Sequence, residues 1–165
     1  MSVERVEIGP KRYRESYGRC YEDFEVGDVY EHRPGRTISE ADNTWFTLLT
    51  MNTHPVHFDN EFAAESEFGR ALVNSCLTLS MVVGMSVSDV SQHAIANLGW
   101  REIKLLAPVF VGDTIYADSE VLEKRLSESR PGQGIVTVKT RGLKADGTIF
   151  MEYERSALLP LRAAE

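Results

Sequence analysis

The sequence predicts an α+β domain in which a single antiparallel sheet wraps around one long apolar helix. The stretch from Leu72 to Val87 is apolar almost all round, as is typical of a helix that is buried on most sides. After Asn97 the hydrophobic pattern changes to a period of two, which indicates half-buried antiparallel strands. One sheet around one helix buries that helix without a second layer of helices.

Capping and turn signals predict the elements that precede the apolar helix. A short strand is expected from Val29 to His32. Ser39 and Asp42 have the spacing of a capping box, which predicts a helix from about Glu40 to Thr50 and gives Asp42 a structural role. A short helical piece is expected around residues 61–65.

Four or so strands are predicted after the apolar helix. Alternate residues over 115–121 are apolar or small, as in a strand with one buried face. Asp146-Gly147 predicts a turn between a strand at about 135–143 and another at about 148–158.

Length and composition predict one soluble domain. The chain has 165 residues, which we divide into an N-terminal arm at 1–20 and a domain at 21–165. The net charge of −7 argues against nucleic acid or an anionic membrane as a partner. No apolar run reaches the roughly twenty residues of a membrane span. The two cysteines, Cys20 and a Cys76 expected to be buried, suggest no disulfide framework, so a cytoplasmic location is expected.

Residues 50–59 place an amide, two imidazoles and a proline between two helical patterns, and this run is the candidate site. Taken alone, His57 is compatible with a polar loop histidine or with a catalytic base, because imidazole titrates near neutral pH. His54 is expected to hold the loop through hydrogen bonds. His54, His57 and Asp59 could suggest a metal site, but no third histidine is nearby in the sequence, so no metal is expected. A second unusual run, Pro108–Thr114, follows about fifty residues later.

The order of these elements and runs resembles the hot-dog fold of the MaoC-like (R)-specific enoyl-CoA hydratases and dehydratases. The motif of that family is Asp-x-Asn-Pro-x-His, and the same spacing here reads Asn52-Thr53-His54-Pro55-Val56-His57. The proline and the final histidine match, whereas Asn52 replaces the aspartate and His54 replaces the asparagine. The resemblance covers about residues 21–159. The mesaconyl-CoA and itaconyl-CoA hydratases are the branch that the sequence resembles most.

The resemblance implies a homodimeric hydro-lyase that reversibly hydrates an enoyl-CoA thioester without a metal or redox cofactor. The acyl group is expected to be short and branched or dicarboxylic. His57 and Asn52 take the catalytic positions, with His57 carrying the proton transfer because an amide cannot accept a proton. The Ser75 N–H, in the first turn of the apolar helix, is expected to stabilise the thioester oxygen. Arg36, Arg70 or Arg101 is expected to meet a substrate carboxylate or the CoA group.

Two other functions are compatible with the sequence. Hot-dog proteins also include acyl-CoA thioesterases, which usually employ a carboxylate base that neither Asn52 nor His54 provides. A non-catalytic acyl-CoA-binding module would explain the loss of the family's aspartate.

Overall fold

The computed structural model describes residues 4–16 and 18–162. Seven strands and three α-helices follow one another along this part of the chain. They are β1 (Glu4–Gly9), β2 (Arg12–Ser16), β3 (Val29–Thr37), α1 (Glu40–Leu49), α2 (Asn60–Glu65), α3 (Ser75–Met85), β4 (Ala96–Leu105), β5 (Thr114–Leu126), β6 (Gln133–Lys144) and β7 (Ile149–Pro160). Short 3-10 turns lie at Tyr21–Asp23 and Pro55–His57, and a π-helical turn at Val87–Ser91 follows α3.

Five strands form one sheet in the order β3-β5-β6-β7-β4. Every neighbouring pair in this sheet is antiparallel. Helix α3 packs against the sheet, since its Leu77 and Val82 share a buried cluster with Ile115, Phe150 and Tyr153 of the strands. The predicted α+β architecture of one antiparallel sheet around one apolar helix is confirmed.

The strands after α3 follow the predicted period. Alternate residues from Ile115 to Val121 on β5 are buried, and the residues between them are half-buried. Strands β6 and β7 occupy the predicted stretches, with ends that differ by no more than about two residues. The turn between them contains Gly147 at a φ of +87° and is closed by a hydrogen bond from the Lys144 N–H to the Thr148 carbonyl. Glycine suits this left-handed backbone conformation.

The elements before α3 are also close to their predicted positions. The Ser39 hydroxyl accepts a hydrogen bond from the Asp42 N–H, and the Asp42 carboxylate accepts one from the Ser39 N–H, so the capping box forms as predicted. Strand β3 continues past its predicted end at His32, because its pairing with β5 resumes at Arg36 after an irregularity.

Helix α3 is shorter than the predicted stretch of Leu72 to Val87. It begins at Ser75, because Asn74 caps it and residues 72–74 are not helical. Leu72 forms a bridge with Phe110 of the second run. The helical path changes to a π-helical turn after Met85.

Helix α3 is also less buried than its composition predicts. Cys76, Ser80 and Gly84 are exposed, and their spacing of four residues places them on one stripe of the helix. The prediction that Cys76 is buried is therefore wrong. The stripe consists of small residues. The apolar character of the segment as a whole does not show that these small residues share one exposed face. Of the helices in the described ranges, none has the length and apolar character to cross a membrane.

Strands β1 and β2 form a hairpin that pairs only within itself among the described residues. The sequence predicts an arm at residues 1–20, and residues 4–16 of that arm are this two-stranded sheet. Residues 1–3, 17 and 163–165 lie outside the described ranges. The division of the chain at residue 21 remains a prediction.

His32 lies at the centre of a buried polar network that sequence reasoning did not find. The His32 side chain is completely buried; its Nδ1 is 2.9 Å from Asp89 Oδ2, and its Nε2 is 2.8 Å from Ser119 Oγ. Arg19 Nη1 donates to the same aspartate at 3.1 Å. Burial lowers the pKa of His32 although Asp89 acts in the opposite direction. Burial raises the pKa of Asp89, but hydrogen bonds from His32 and Arg19 outweigh it, and the net pKa is lowered.

We expect His32 to make stability depend on pH. The unfolded chain binds a proton at His32 as the pH falls through 6.5, its ordinary pKa, whereas the folded protein binds that proton only at lower pH. The free energy of unfolding should therefore decrease as the pH falls from about 7 to about 5, by up to roughly 1.4 kcal/mol per pH unit. Denaturant unfolding at several pH values in this interval measures the slope.

The variant His32→Gln should be less stable than the wild type at neutral pH but should show a flatter pH dependence. His93 is exposed, so His93→Gln is the matched control and should keep the wild-type slope. Equal slopes for wild type and His32→Gln would contradict the assignment.

Candidate active site

The segment between α1 and α2 is a tight loop held by its own polar side chains. Asn52 Oδ1 accepts a hydrogen bond from the His54 N–H at 2.9 Å. His54 Nδ1 accepts one from the Val56 N–H at 3.2 Å, so His54 holds the loop as predicted. Pro55 starts the 3-10 turn that ends at His57, and its fixed φ is compatible with such a turn. The loop thereby sets the position of His57.

His57 is half-buried, and its neighbour determines its tautomer. Its Nδ1 lies 2.9 Å from the carbonyl oxygen of Leu72. Since a carbonyl oxygen can only accept, Nδ1 carries the proton and Nε2 is the unprotonated nitrogen of the neutral ring. Nε2 is therefore the atom that can take a proton from a water molecule.

The backbone N–H groups in the first turn of α3 differ in their hydrogen-bond partners. Asn74 is the N-cap, and its Oδ1 accepts from the Cys76 N–H at 3.0 Å. The Asn74 carbonyl accepts from the N–H groups of Leu77 and Thr78. Within the described ranges, no group accepts a hydrogen bond from the Ser75 N–H. This N–H, at the positive end of the helix, can stabilise an oxygen that gains negative charge.

His57 and Ser75 line the same cavity, which has a volume of about 310 Å³. Thr78 adds a polar group, and the rest of the wall is apolar. The apolar wall consists of Phe68, Leu72, Val73, Phe150 and residues 105–109. A cavity with apolar walls and a few polar groups is typical of sites for small organic ligands.

A second cavity of about 170 Å³ also includes His57, and Arg70 lines it. The Arg70 guanidinium carbon lies 3.9 Å from the centre of the Phe110 ring. Among the described residues, no carboxylate forms an ion pair with Arg70, although Glu40 lines the same cavity. Arg70 therefore keeps its charge available beside His57.

The other two candidate arginines are already paired with carboxylates. Arg36 Nη2 lies 2.6 Å from Asp42 Oδ1, and Arg101 Nε lies 2.6 Å from Glu154 Oε2. Neither arginine lines a cavity that contains His57. Of the three candidate arginines, Arg70 is the one that lines a cavity with His57.

Asn52 lines neither cavity that contains His57. Its amide oxygen is used inside the loop, where it accepts from the His54 N–H. His57 shares one cavity with Ser75 and another with Arg70, whereas Asn52 lies earlier in the same loop as His57 and lines neither of these two cavities. A direct catalytic role for Asn52 stays a prediction.

Asp59 caps helix α2 by accepting from the N–H groups of Glu61 and Phe62. Over residues 4–16 and 18–162, no group of three or more His, Cys, Asp or Glu side chains is arranged to hold a metal ion.

Sequence reasoning missed part of the cavity wall. Thr78 lies one helical turn after Ser75, and that spacing was a usable signal, since residues three apart share a helix face. Leu105 and Leu106 are held beside β7, since Leu105 pairs with Met151 and the Leu106 N–H donates to the Phe150 carbonyl. No local pattern marks these two leucines as site residues.

The chain is similar to known CoA hydratases in sequence. The family model for mesaconyl-CoA hydratase matches residues 6–165. A mesaconyl-CoA hydratase of Cereibacter sphaeroides is 34% identical over 145 residues, which make up 88% of this chain and 42% of that protein. An (R)-specific enoyl-CoA hydratase of Aeromonas caviae is 30% identical over 139 residues, which make up 84% of this chain and 98% of that protein. The chain thus spans less than half the length of the first relative.

The fold has a counterpart among solved structures. A Mycobacterium tuberculosis protein described as a double hot-dog fold is 23% identical and superimposes with a TM-score of 0.82. The match covers 90% of this chain and 46% of that one. The five-stranded sheet with α3 is therefore one hot-dog unit, as the resemblance implies.

Proposed function

The chain belongs to the mesaconyl-CoA hydratase family, and on that premise we propose that it catalyses the reversible addition of water to the double bond of an enoyl-CoA thioester. One observation carries the proposal: His57, whose Nδ1 faces a carbonyl oxygen, and Ser75, whose N–H has no acceptor within the described ranges, line the same largely apolar cavity. The first is a base for water, and the second is a donor for the thioester oxygen.

The two groups divide the chemistry between them. The thioester carbonyl oxygen accepts a hydrogen bond from the Ser75 N–H. His57 Nε2 removes a proton from water as the water oxygen bonds to the β-carbon, and the electrons of the double bond move towards the thioester oxygen as an enolate. The proton on Nε2 then passes to the α-carbon, so that one water is added and His57 returns to its neutral form. This route uses proton transfers and a backbone donor, without a metal or redox cofactor.

The free guanidinium of Arg70 supports a dicarboxylic acyl group. It lines a cavity that contains His57, and its positive charge has no ion-pair partner among the described carboxylates. A bidentate guanidinium is the natural partner of a carboxylate. We therefore assign to Arg70 the second carboxylate of a short, branched substrate such as mesaconyl-CoA.

The exposed edge of the sheet supports a homodimer. Strand β4 pairs on one side with β7 and has no other strand partner in the described ranges. Its Leu98, Trp100 and Ile103 are about half exposed, and the small-residue stripe of α3 is exposed as well. A second copy that pairs along this edge would cover apolar surface and remove an unpaired edge. Sedimentation equilibrium should give about twice the chain mass of 18.6 kDa, and a monomer at micromolar concentration would contradict the dimer.

Ultraviolet absorption tests the proposed reaction directly. Conjugated enoyl thioesters absorb in the ultraviolet, and hydration of the double bond removes that band. We expect the protein to remove it from mesaconyl-CoA, with crotonyl-CoA and a longer enoyl-CoA as comparison substrates. Release of free thiol would identify a thioesterase instead. Binding of the thioester with neither change would identify an acyl-CoA-binding module.

We expect Arg70→Gln to weaken the use of a dicarboxylic substrate selectively. Loss of a charged hydrogen bond costs about 1.5–3 kcal/mol, which corresponds to a rise in KM for mesaconyl-CoA of roughly 10- to 150-fold. The KM for crotonyl-CoA, which has no second carboxylate, should stay within about threefold. Arg36→Gln is the matched control, because Arg36 is already paired with Asp42. A selective effect of Arg36→Gln in place of Arg70→Gln would contradict the assignment.

A further inference from the structure

Asn43, on helix α1, forms side-chain hydrogen bonds to three distant segments. Its side chain is completely buried. Its Nδ2 donates to the carbonyl oxygens of His57 at 2.7 Å and Leu72 at 3.1 Å. Its Oδ1 accepts from the Asn74 N–H at 2.8 Å. One amide thus joins α1 to the site loop, to the strand-like segment before α3 and to the N-cap of α3.

Each of these contacts is directly connected to the proposed chemistry. The His57 carbonyl belongs to the residue that supplies the base. The Leu72 carbonyl also accepts the hydrogen bond from His57 Nδ1 that leaves Nε2 unprotonated. Asn74 immediately precedes Ser75, whose N–H faces the substrate oxygen in the proposed reaction.

We propose that Asn43 is a positioning residue: it fixes the position of the His57 ring relative to the Ser75 N–H on the wall of the cavity. The inference rests on the proposed hydratase function for its catalytic consequence, but the tautomer of His57 can be measured whether or not the protein is a hydratase. Asn43 does not touch the cavity and acts only through the backbone of the residues that line it.

The neighbours of Asn43 require an amide and determine its orientation. Two carbonyl oxygens need donors and one N–H needs an acceptor. A reversed amide would place its oxygen against two carbonyls and its NH₂ against an N–H. An aspartate keeps the shape and the acceptor but lacks the pair of donors, and an alanine lacks both.

Loss of the donors should free the Leu72 carbonyl and loosen its bond to His57. The His57 ring then samples the tautomer with the proton on Nε2, which cannot act as a base. Small displacements of catalytic groups reduce the rate of the chemical step strongly, by up to about 100-fold. The effect should therefore appear in kcat, with KM nearly unchanged, because the apolar cavity wall is retained.

Two variants and one control test the proposal. Asn43→Asp keeps the volume and the bond to Asn74, and Asn43→Ala removes the whole group. Thr47→Val is the matched control: Thr47 lies one turn further along α1, is equally buried and accepts a bond from Asn74 Nδ2 at 3.2 Å, but its hydroxyl bonds neither His57 nor Leu72. We expect kcat to fall at least about 30-fold in both Asn43 variants and to stay within about threefold in Thr47→Val.

The tautomer of His57 is measured independently of activity. Long-range ¹H–¹⁵N spectra distinguish the two neutral forms, and the signal that is missing in His57→Gln identifies the ring. The wild type and Thr47→Val should show the proton on Nδ1, and the Asn43 variants should show a mixture.

The proposal is overturned if both Asn43 variants keep the wild-type tautomer, or if Thr47→Val loses as much activity as they do. If the wild type hydrates no thioester, the proposed function fails, and the tautomer measurement still decides the role of Asn43. Asn43→Asp sets a carboxylate oxygen against the two carbonyls that Nδ2 contacts, so the tautomer is measured in whichever Asn43 variant keeps the circular dichroism spectrum of the wild type.

Discussion

Replacement of His57 with alanine is expected to lower kcat at least about 1,000-fold, within the range of rate losses that follow removal of a general acid–base group. The reason is that Nε2 of this ring is the unprotonated nitrogen beside the cavity, and Asn52 cannot take a proton in its place. The substrate wall stays in position, so KM should change little. The measurement is the rate at which the ultraviolet band of mesaconyl-CoA disappears.

His54→Asn is the matched control for this change. His54 is three residues away and exposed, and its role is to cap the 3-10 turn with Nδ1. Asparagine also caps such turns, so the variant should keep kcat within about fivefold. If His57→Ala retained more than about a tenth of the wild-type kcat, another group would have to be the base.

Replacement of Ser75 with proline is expected to lower kcat by about 100- to 1,000-fold, as is found when one oxyanion donor is removed. Proline has no N–H, so the donor disappears. Ser75 is the first residue of α3, where proline is well tolerated, and Asn74 has a φ of −59° and a ψ of 124°, which suit a residue before proline. Circular dichroism and the unfolding midpoint should therefore remain close to those of the wild type.

Ser75→Ala separates the backbone donor from the side chain. It removes the hydroxyl and keeps the N–H, so its kcat should stay within about threefold of the wild type. A folded Ser75→Pro variant with nearly normal activity would exclude the backbone N–H as the oxyanion donor. Equal losses in both variants would assign the effect to the hydroxyl.

Local signals predicted the elements whose causes are local. The capping box of Ser39 and Asp42 predicted the start of α1, and the two-residue period over 115–121 predicted the buried face of β5. The loop role of His54 also depends on neighbours within two residues. In each case the residues that determine the local structure are close together in the sequence. The sequence pattern is therefore enough to predict it.

Features that depend on distant partners were not predictable in this way. In the sequence, Asn43 looks like any polar residue of an amphipathic helix, because its three hydrogen-bond partners lie 14 to 31 residues away. His32 reads as a strand residue, since Asp89 and Ser119 come from other parts of the chain. Which of the three arginines is free to bind a substrate carboxylate depends on the ion pairs they form. The partner of Arg101, Glu154, lies 53 residues away in the sequence.

Leu72 contacts the site with both its backbone and its side chain. Its backbone oxygen orients the imidazole, while its side chain contributes to the surface that an acyl group would contact. Saturation mutagenesis at this position would therefore vary which acyl groups fit and leave the orienting oxygen in every variant. Substitution at this one position is therefore expected to reshape the cavity wall without removing the hydrogen-bond acceptor of His57.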